Sequence, residues 1–319
     1  MEGKLSIIYD ITKRCPWNCK MCCMNAARGC EALMGELPMD RKLSLISEMA
    51  EINKTRDVYV DFSGGEIMTN LENICVVEKA AMLMGKEKIG ISSSGYKMTD
   101  DLAKRLSASI SNFEMTMDVL PGRSYELRPF GYSLAAANAI PYLKKYGIEV
   151  GIQTVLARQN CNEANLRELY QFLCENGVDD WSLLKFYPSG RGENYKHEVL
   201  SEEDETWAVR FIKGLDASNS SEYKPRVDFH YRMKNHEKHS TECRCVRKSI
   251  GILPDGLVTS CFWAIDADQT VSDDRFNLGS VKTESLVDIL NGPKAAYWMD
   301  CVHCCELEEL RKRLSLKTA

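Results

Sequence analysis

The chain has 319 residues, is 44% hydrophobic and 27% charged, and carries a net charge of −5. That length supports one large domain and a smaller one with a sizeable core. Charges of both signs are scattered along it, which leaves no basic face for nucleic acid. No run approaches the ~18 apolar residues of a membrane span, and residues 1–15 lack the apolar core and cleavage site of a signal peptide. The expectation is a cytosolic protein without nucleic-acid or membrane partners.

Residues 5–11 read as a short apolar strand. Residues 41–52 carry Leu43, Ile46, Met49 and Ile52 at helical spacing. A strand at 58–62 runs into Ser63-Gly64-Gly65, followed by a helix at 71–84 and a strand at 89–93. A helix at 100–106 starts after the cap Thr99. Then come a strand at 113–119, a helix at 132–146, a strand at 149–156, a helix at 165–176 and a strand at 181–187. About six βα units imply a parallel sheet with helical crossovers. Eight would close a full barrel; six predict an α/β fold, a partial (β/α)6 TIM-like barrel binding ligands at its C-terminal strand ends.

Residues 189–244 change character. They read as a linker with a helix at 201–215 and a polar, irregular stretch at 216–244. Residues 245–305 read as a small Cys-rich α+β domain, with a hairpin around Pro254-Asp255-Gly256 and a helix at 286–290. The expected divisions are 1–188, 189–244, 245–305 and a helix-prone tail at 306–319.

Fourteen cysteines fall in two groups, five from Cys15 to Cys30 and six from Cys243 to Cys305. In a cytosolic protein such grouping reads as metal binding or redox chemistry before disulfides. Cys75 and Cys174 lie in apolar helical patterns and read as core residues; Cys161 lies in a loop. Cys15, Cys19 and Cys22 have C-x3-C-x2-C spacing directly after a strand. Three thiolates on one short loop suit three irons of a cubane and leave the fourth open for chemistry. Structural zinc wants four protein ligands, and Lys13, Arg14, Asn18 and Lys20 make the loop too polar for buried thiols alone.

This signature resembles the radical S-adenosylmethionine (SAM) superfamily. Gly64-Gly65-Glu66 follows the second strand, where that family carries a Gly-Gly-Glu motif binding the methionine amino group. Ser93 and Ser94 stand at the family's Thr-Asn-Gly strand end, and Thr116 and Asp118 resemble its Ser-x-Asp strand. Arg128 lies where relatives put an arginine near the cosubstrate carboxylate. Met21 replaces an aromatic that contacts adenine, and Ser94 replaces an asparagine. The resemblance implies S-adenosyl-L-methionine and a catalytic [4Fe–4S] cluster as cofactors. An electron from an external donor such as flavodoxin or ferredoxin cleaves the sulfonium, and the 5′-deoxyadenosyl radical abstracts a substrate hydrogen.

The order Cys245, Gly256, Cys261, Cys301, Cys304 resembles the C-terminal SPASM/twitch extension of such enzymes. Because no cysteine follows Cys305, the short form with one auxiliary [4Fe–4S] cluster is expected. Its ligands would be Cys245, Cys261, Cys301 and Cys304, with Cys243 and Cys305 as near alternatives. The rival is a zinc site of His236, His239, Cys243 and Cys245, set aside because Lys234, Glu237 and Lys238 mark a solvated loop. Twitch and SPASM relatives modify ribosomal peptides, or oxidise or epimerise polyols and aminoglycosides. Oxidative modification of a peptide is the preferred reading, although a cluster loop starting at residue 15 leaves no room for a fused leader-binding domain. Dehydrogenation or epimerisation of an aminoglycoside, cyclitol or peptide residue is the alternative, with Cys23, Cys30, Cys243 or Cys305 as hydrogen donor. A non-catalytic iron–sulfur or zinc scaffold is the reading of another class.

Overall fold

A computed structural model of the chain describes residues 3–230, 233, 243–266, 270–301 and 307. Its first part alternates strand and helix: β1 (Leu5–Thr12), α1 (Met39–Asn53), β2 (Val58–Gly64), α2 (Asn73–Met84), β3 (Ile89–Ser93), α3 (Asp100–Leu106), β4 (Asn112–Thr116), α4 (Tyr132–Lys145), β5 (Glu149–Leu156), α5 (Glu163–Glu175), β6 (Asp180–Lys185), α6 (Glu202–Ser218) and β7 (Arg226–Phe229). β1 to β7 pair in chain order, all parallel. This is the partial barrel expected, extended by one strand. β7 falls in the stretch read as polar and irregular. Its Arg226 and Asp228 are exposed and only Phe229 is buried, so an edge strand of this kind carries almost no apolar signal.

The C-terminal part continues the same sheet rather than starting another. β8 (Ser249–Ile252) pairs in parallel with β1, matching Ser6 to Ser249 and Tyr9 to Ile252. β9 (Leu257–Thr259) returns antiparallel from β8 through the expected turn, where Gly256 takes φ +88, and β10 (Asn277–Ser280) adds to β9. The helix read at 286–290 is α7 (Leu286–Asn291). A second helix, α8 (Pro293–Asp300), starts on a proline in its first turn and buries Ala295 and Trp298. Arg56, at the foot of β2, donates to the Val246 carbonyl at 2.8 Å and ties the extension to the barrel. Cys304, Cys305 and nearly all of the tail lie outside the described residues.

Alternation along each strand divides the sheet into two faces. Leu5, Ile7, Tyr9, Val58, Val60, Phe62, Ile89, Ile91, Phe113, Met115, Val150 and Ile152 form the core with the helices. The opposite, concave face carries Asp10, Thr12, Asp61, Ser63, Ser92, Glu114, Thr116 and Gln153, with Gly90 and Gly151 between them. A closed barrel fills its interior with branched apolar side chains; this one leaves a polar hollow. One helical reading is corrected. Cys75 on α2 is exposed, with its sulfur 3.6 Å from the Arg105 guanidinium, because it lies on the solvent side of an otherwise apolar helix.

Candidate active site

The cysteine loop leaves the C-terminal end of β1 and is closed on itself by backbone bonds. Cys15 N donates to the Ala27 carbonyl at 2.8 Å, and Ala27 N to the Lys13 carbonyl at 3.1 Å. Glu36 holds the loop's base, accepting from the Thr12 hydroxyl at 2.8 Å and from Lys13 N at 2.6 Å. Cys15 and Cys19 are buried and Cys22 half-buried, while the neighbouring Cys23 is exposed. Burial pushes the Cys15 thiol up to about 12, with Glu66, Cys19 and Cys22 adding to the rise. The Cys19 thiol is also raised by burial, against the opposing pull of Arg128. Thiols held protonated release protons on binding metal, so iron loading weakens as pH falls. Among the described residues no three His, Cys, Asp or Glu side chains close on a single ion. The Cys15 thiol senses Cys19 and Cys22, so the three sulfurs are neighbours on one loop.

Gly64 and Gly65 pass directly beneath this loop. Gly65 N donates to the Thr12 carbonyl at 2.7 Å, and Glu66 N to the Arg14 carbonyl at 2.9 Å. A Cβ on Gly64 would lie 2.5 Å from the Thr12 oxygen, and one on Gly65 would lie 2.3 Å from the Arg14 oxygen. The close approach these glycines permit is thus to the cysteine loop itself. Glu66 is 1% exposed. It accepts from the Ser93 hydroxyl at 2.8 Å, Ser94 N at 2.9 Å, Met68 N at 3.2 Å and the Ser94 hydroxyl. Burial raises its carboxyl, while the Ser94 and Ser93 donors oppose the rise. The Trp17 indole donates to Ser94 Oγ at 2.7 Å, which links the cysteine loop to the ends of β2 and β3.

On the opposite wall Asp118 is fully buried. It accepts Arg128 Nε at 2.6 Å and Val155 N at 2.8 Å. The Arg128 guanidinium lies 4.7 Å from the centre of the Tyr132 ring and hydrogen-bonds Cys19; Tyr132 in turn bonds Thr116. Met21 packs with Val119, Tyr125, Leu127, Ala157 and Phe186. Breaking a buried pair from one side strands the other charge, at a cost of about 3–5 kcal/mol. Arg128→Leu is therefore expected to lower stability by roughly 3 kcal/mol, and Asp118→Asn/Arg128→Leu to recover part of the loss. Thermal unfolding of the three proteins checks this; an unchanged single variant would show that the pair holds nothing.

The second cysteine group lies at the other end of the barrel. Cys245 precedes β8 and Cys261 follows β9, so both sit near the N-terminal ends of the parallel strands. The Cys245 sulfur hydrogen-bonds Cys243 and Cys261, and these contacts, with burial, push its thiol far up. The hairpin thus joins Cys245 to Cys261 as expected and adds Cys243. Cys301 is half-buried against the same core. Cys304, His236 and His239 lie outside the described residues. From Ser6 to Thr12, β1 spans roughly 20 Å at about 3.3 Å per residue, and the hollow lies between the two groups.

The family model described as the radical SAM superfamily matches residues 9–197. The chain belongs to the radical SAM superfamily. A model described as an iron–sulfur cluster-binding SPASM domain matches residues 243–313. Streptococcus suis SuiB bound to S-adenosylmethionine superposes with a TM-score of 0.69 at 15% identity, over 91% of this chain and 64% of that one. The anSMEcpe structure with bound AdoMet and Cp18Cys peptide superposes with a TM-score of 0.63 at 16% identity, over 93% of this chain and 82% of that one. GTP 3′,8-cyclase of Mannheimia succiniciproducens is 21% identical over 160 residues, 50% of this chain and 44% of that protein. This chain therefore spans under half of the cyclase and under two thirds of SuiB. The radical SAM cofactors are S-adenosylmethionine and a [4Fe–4S] cluster, joined in the SPASM domain by auxiliary iron–sulfur binding. No helix among the described residues is long and apolar enough to cross a membrane.

The radical SAM loop has one clamp that sequence reading missed. Arg191, beyond β6, donates from Nε to the Cys19 carbonyl at 3.0 Å and from Nη1 to the Ala26 carbonyl at 2.7 Å. Its amide reaches the Cys22 carbonyl at 3.0 Å. Arg191 falls in the stretch from 189 that reads only as a linker. A guanidinium bridging loop carbonyls leaves no spacing pattern, and only the Gly-Arg-Gly sequence hints at a tight approach.

Proposed function

We propose that this radical SAM enzyme oxidatively modifies a peptide, with Cys15, Cys19 and Cys22 holding its catalytic cluster. The observation that carries the reading is the three-thiol loop seated on Gly64-Gly65 and bordered by Glu66 and Arg128. Bound there, the cluster and S-adenosylmethionine supply one-electron cleavage to methionine and a 5′-deoxyadenosyl radical. The chain's own groups bind, orient and exclude water. In this reading Glu66, Ser93 and Ser94 meet the cosubstrate's amino end, Arg128 its carboxylate, and Met21 its adenine. Thr116 and Asp118 position Arg128. Cys245, Cys261, Cys301 and Cys304 hold one auxiliary cluster, with Cys243 its nearest alternative ligand, and an external flavodoxin or ferredoxin supplies the electron. The peptide preference draws on two relatives whose structures hold peptides: SuiB bound to precursor peptide SuiA, and anSMEcpe with Cp18Cys peptide.

Anaerobically reconstituted protein should carry about eight irons, four per cubane. With dithionite it should release 5′-deoxyadenosine, and with substrate it should give a product lighter by two hydrogens. Zinc in place of half the iron would reject the auxiliary cluster. A product carrying one deuterium from heavy water and otherwise unchanged in mass would replace oxidation by epimerisation.

A further inference from the structure

The hollow between the two cysteine groups is acidic. Concave positions on β1 to β5 carry four carboxylates, Asp10, Asp61, Glu114 and Glu149, and no lysine or arginine; Arg226 on β7 pairs with Glu149, which leaves the other three. They stand on three different strands: Asp10 is level with Ser63 and Asp61 with Ile8 on the β1–β2 ladder, and Glu114 is level with Ser92. Internal bonds occupy only part of their capacity. The Ser92 hydroxyl donates to Asp61 Oδ2 at 2.8 Å, Gln153 Nε2 donates to Glu114, and Ser63 bonds Asp10. A carboxylate accepts at up to about four lone-pair sites.

Asp10 supplies the independent observation. It is 1% exposed, yet its Oδ2 has no hydrogen-bond partner. An unmet buried carboxylate oxygen is costly. The three groups also burden one another. Burial and then Asp61 raise Asp10 well above the usual carboxylate range. Burial pushes Asp61 up to about 6, against the Ser92 bond. Burial, with Asp61 and Asp180 adding, pushes Glu114 up to about 7. A Cβ on Gly151 would come within 3.2 Å of the Glu114 side chain, so the glycine keeps the space beside it clear.

We infer that Asp10, Asp61 and Glu114 form a subsite for a protonated primary amine of the substrate. The inference rests on the radical SAM reading of the loop above it. An ammonium presents three donors in different directions, matching carboxylates on three strands of which Asp61 neighbours both others. A planar guanidinium pairs best with a single carboxylate. The amine can be a lysine side chain of a peptide or the amino group of a sugar.

The test titrates the reconstituted enzyme with n-butylamine, N-acetyl-Gly-Lys-Gly-amide and glucosamine. Each is compared with an uncharged counterpart: n-butanol, the norleucine peptide and N-acetylglucosamine. The amines should bind and the counterparts should not. Asp61→Asn/Glu114→Gln should weaken binding about tenfold to a hundredfold, as expected for losing charge-assisted bonds. Asp10→Asn carries the same comparison if the double variant does not fold. The carrier that binds more tightly assigns the source of the amine. Equal binding of the neutral probes, wild-type affinity in the variants, or preference for potassium over every amine would overturn the inference. An enzyme that releases 5′-deoxyadenosine but binds no amine rejects this subsite alone. A wild-type protein that cleaves no S-adenosylmethionine rejects the reading beneath it.

Discussion

Replacing Cys15, Cys19 and Cys22 together by alanine is expected to remove about four irons per chain and all 5′-deoxyadenosine formation. Cys15 and Cys19 are 8% and 6% exposed, so alanine fits their places with little loss of burial. The loop's backbone closure through Cys15 N and Ala27 N needs no side chain. The variant should therefore fold and keep the iron bound near Cys245 and Cys261. Iron analysis after anaerobic reconstitution, with chromatography of the nucleoside product, reads both effects. Cleavage at the wild-type rate would remove the catalytic cluster from this loop.

Gly65→Ala is expected to be nearly as damaging without touching a ligand. Its Cβ would meet the Arg14 oxygen at 2.3 Å and the Arg14 carbon at 2.7 Å, and backbone atoms of a closed loop cannot step aside cheaply. Either the cysteine loop lifts or the bonds from Gly65 and Glu66 break. A cost of about 1–3 kcal/mol is ordinary for such overpacking. The larger effect should fall on cluster occupancy, because a shift of about 1 Å in a positioning element can cost a hundredfold in rate. Iron content and nucleoside formation should drop together while the secondary structure persists. Full iron loading with normal turnover would show that the loop accommodates the methyl.

Most of the barrel was legible because its strands alternate. β5 has the expected bounds at Glu149–Leu156, and Thr99 caps α3 through Leu102 N at 3.3 Å. The cysteine spacing led to the loop because its chemistry is local. Less legible were features made between distant segments. The pairing of β8 with β1 depends on two short apolar runs meeting, and nothing in either specifies the other. The Gly-Gly pair enters the sequence argument only as part of a cosubstrate-binding motif, although its tightest neighbours are the Thr12 and Arg14 carbonyls. The acidic hollow did have a signal. Strands of a parallel sheet covered on both faces read as nearly unbroken apolar runs, whereas Asp10, Asp61, Glu114 and Gln153 interrupt theirs at every second position.

The β1–β8 ladder bears on how the chain is made. β1 leaves the ribosome long before one of its two partners, which is synthesised roughly 240 residues later. Translation adds about 5–20 residues per second, so β1 waits on the order of ten seconds or longer with one edge bare. An unpaired strand edge is a template for wrong partners. Closing it late also makes a contact of very high sequence separation, the kind that slows folding. A chain cut before residue 245 would carry that bare edge permanently. Poor solubility in such a truncation would then report a missing strand rather than missing iron.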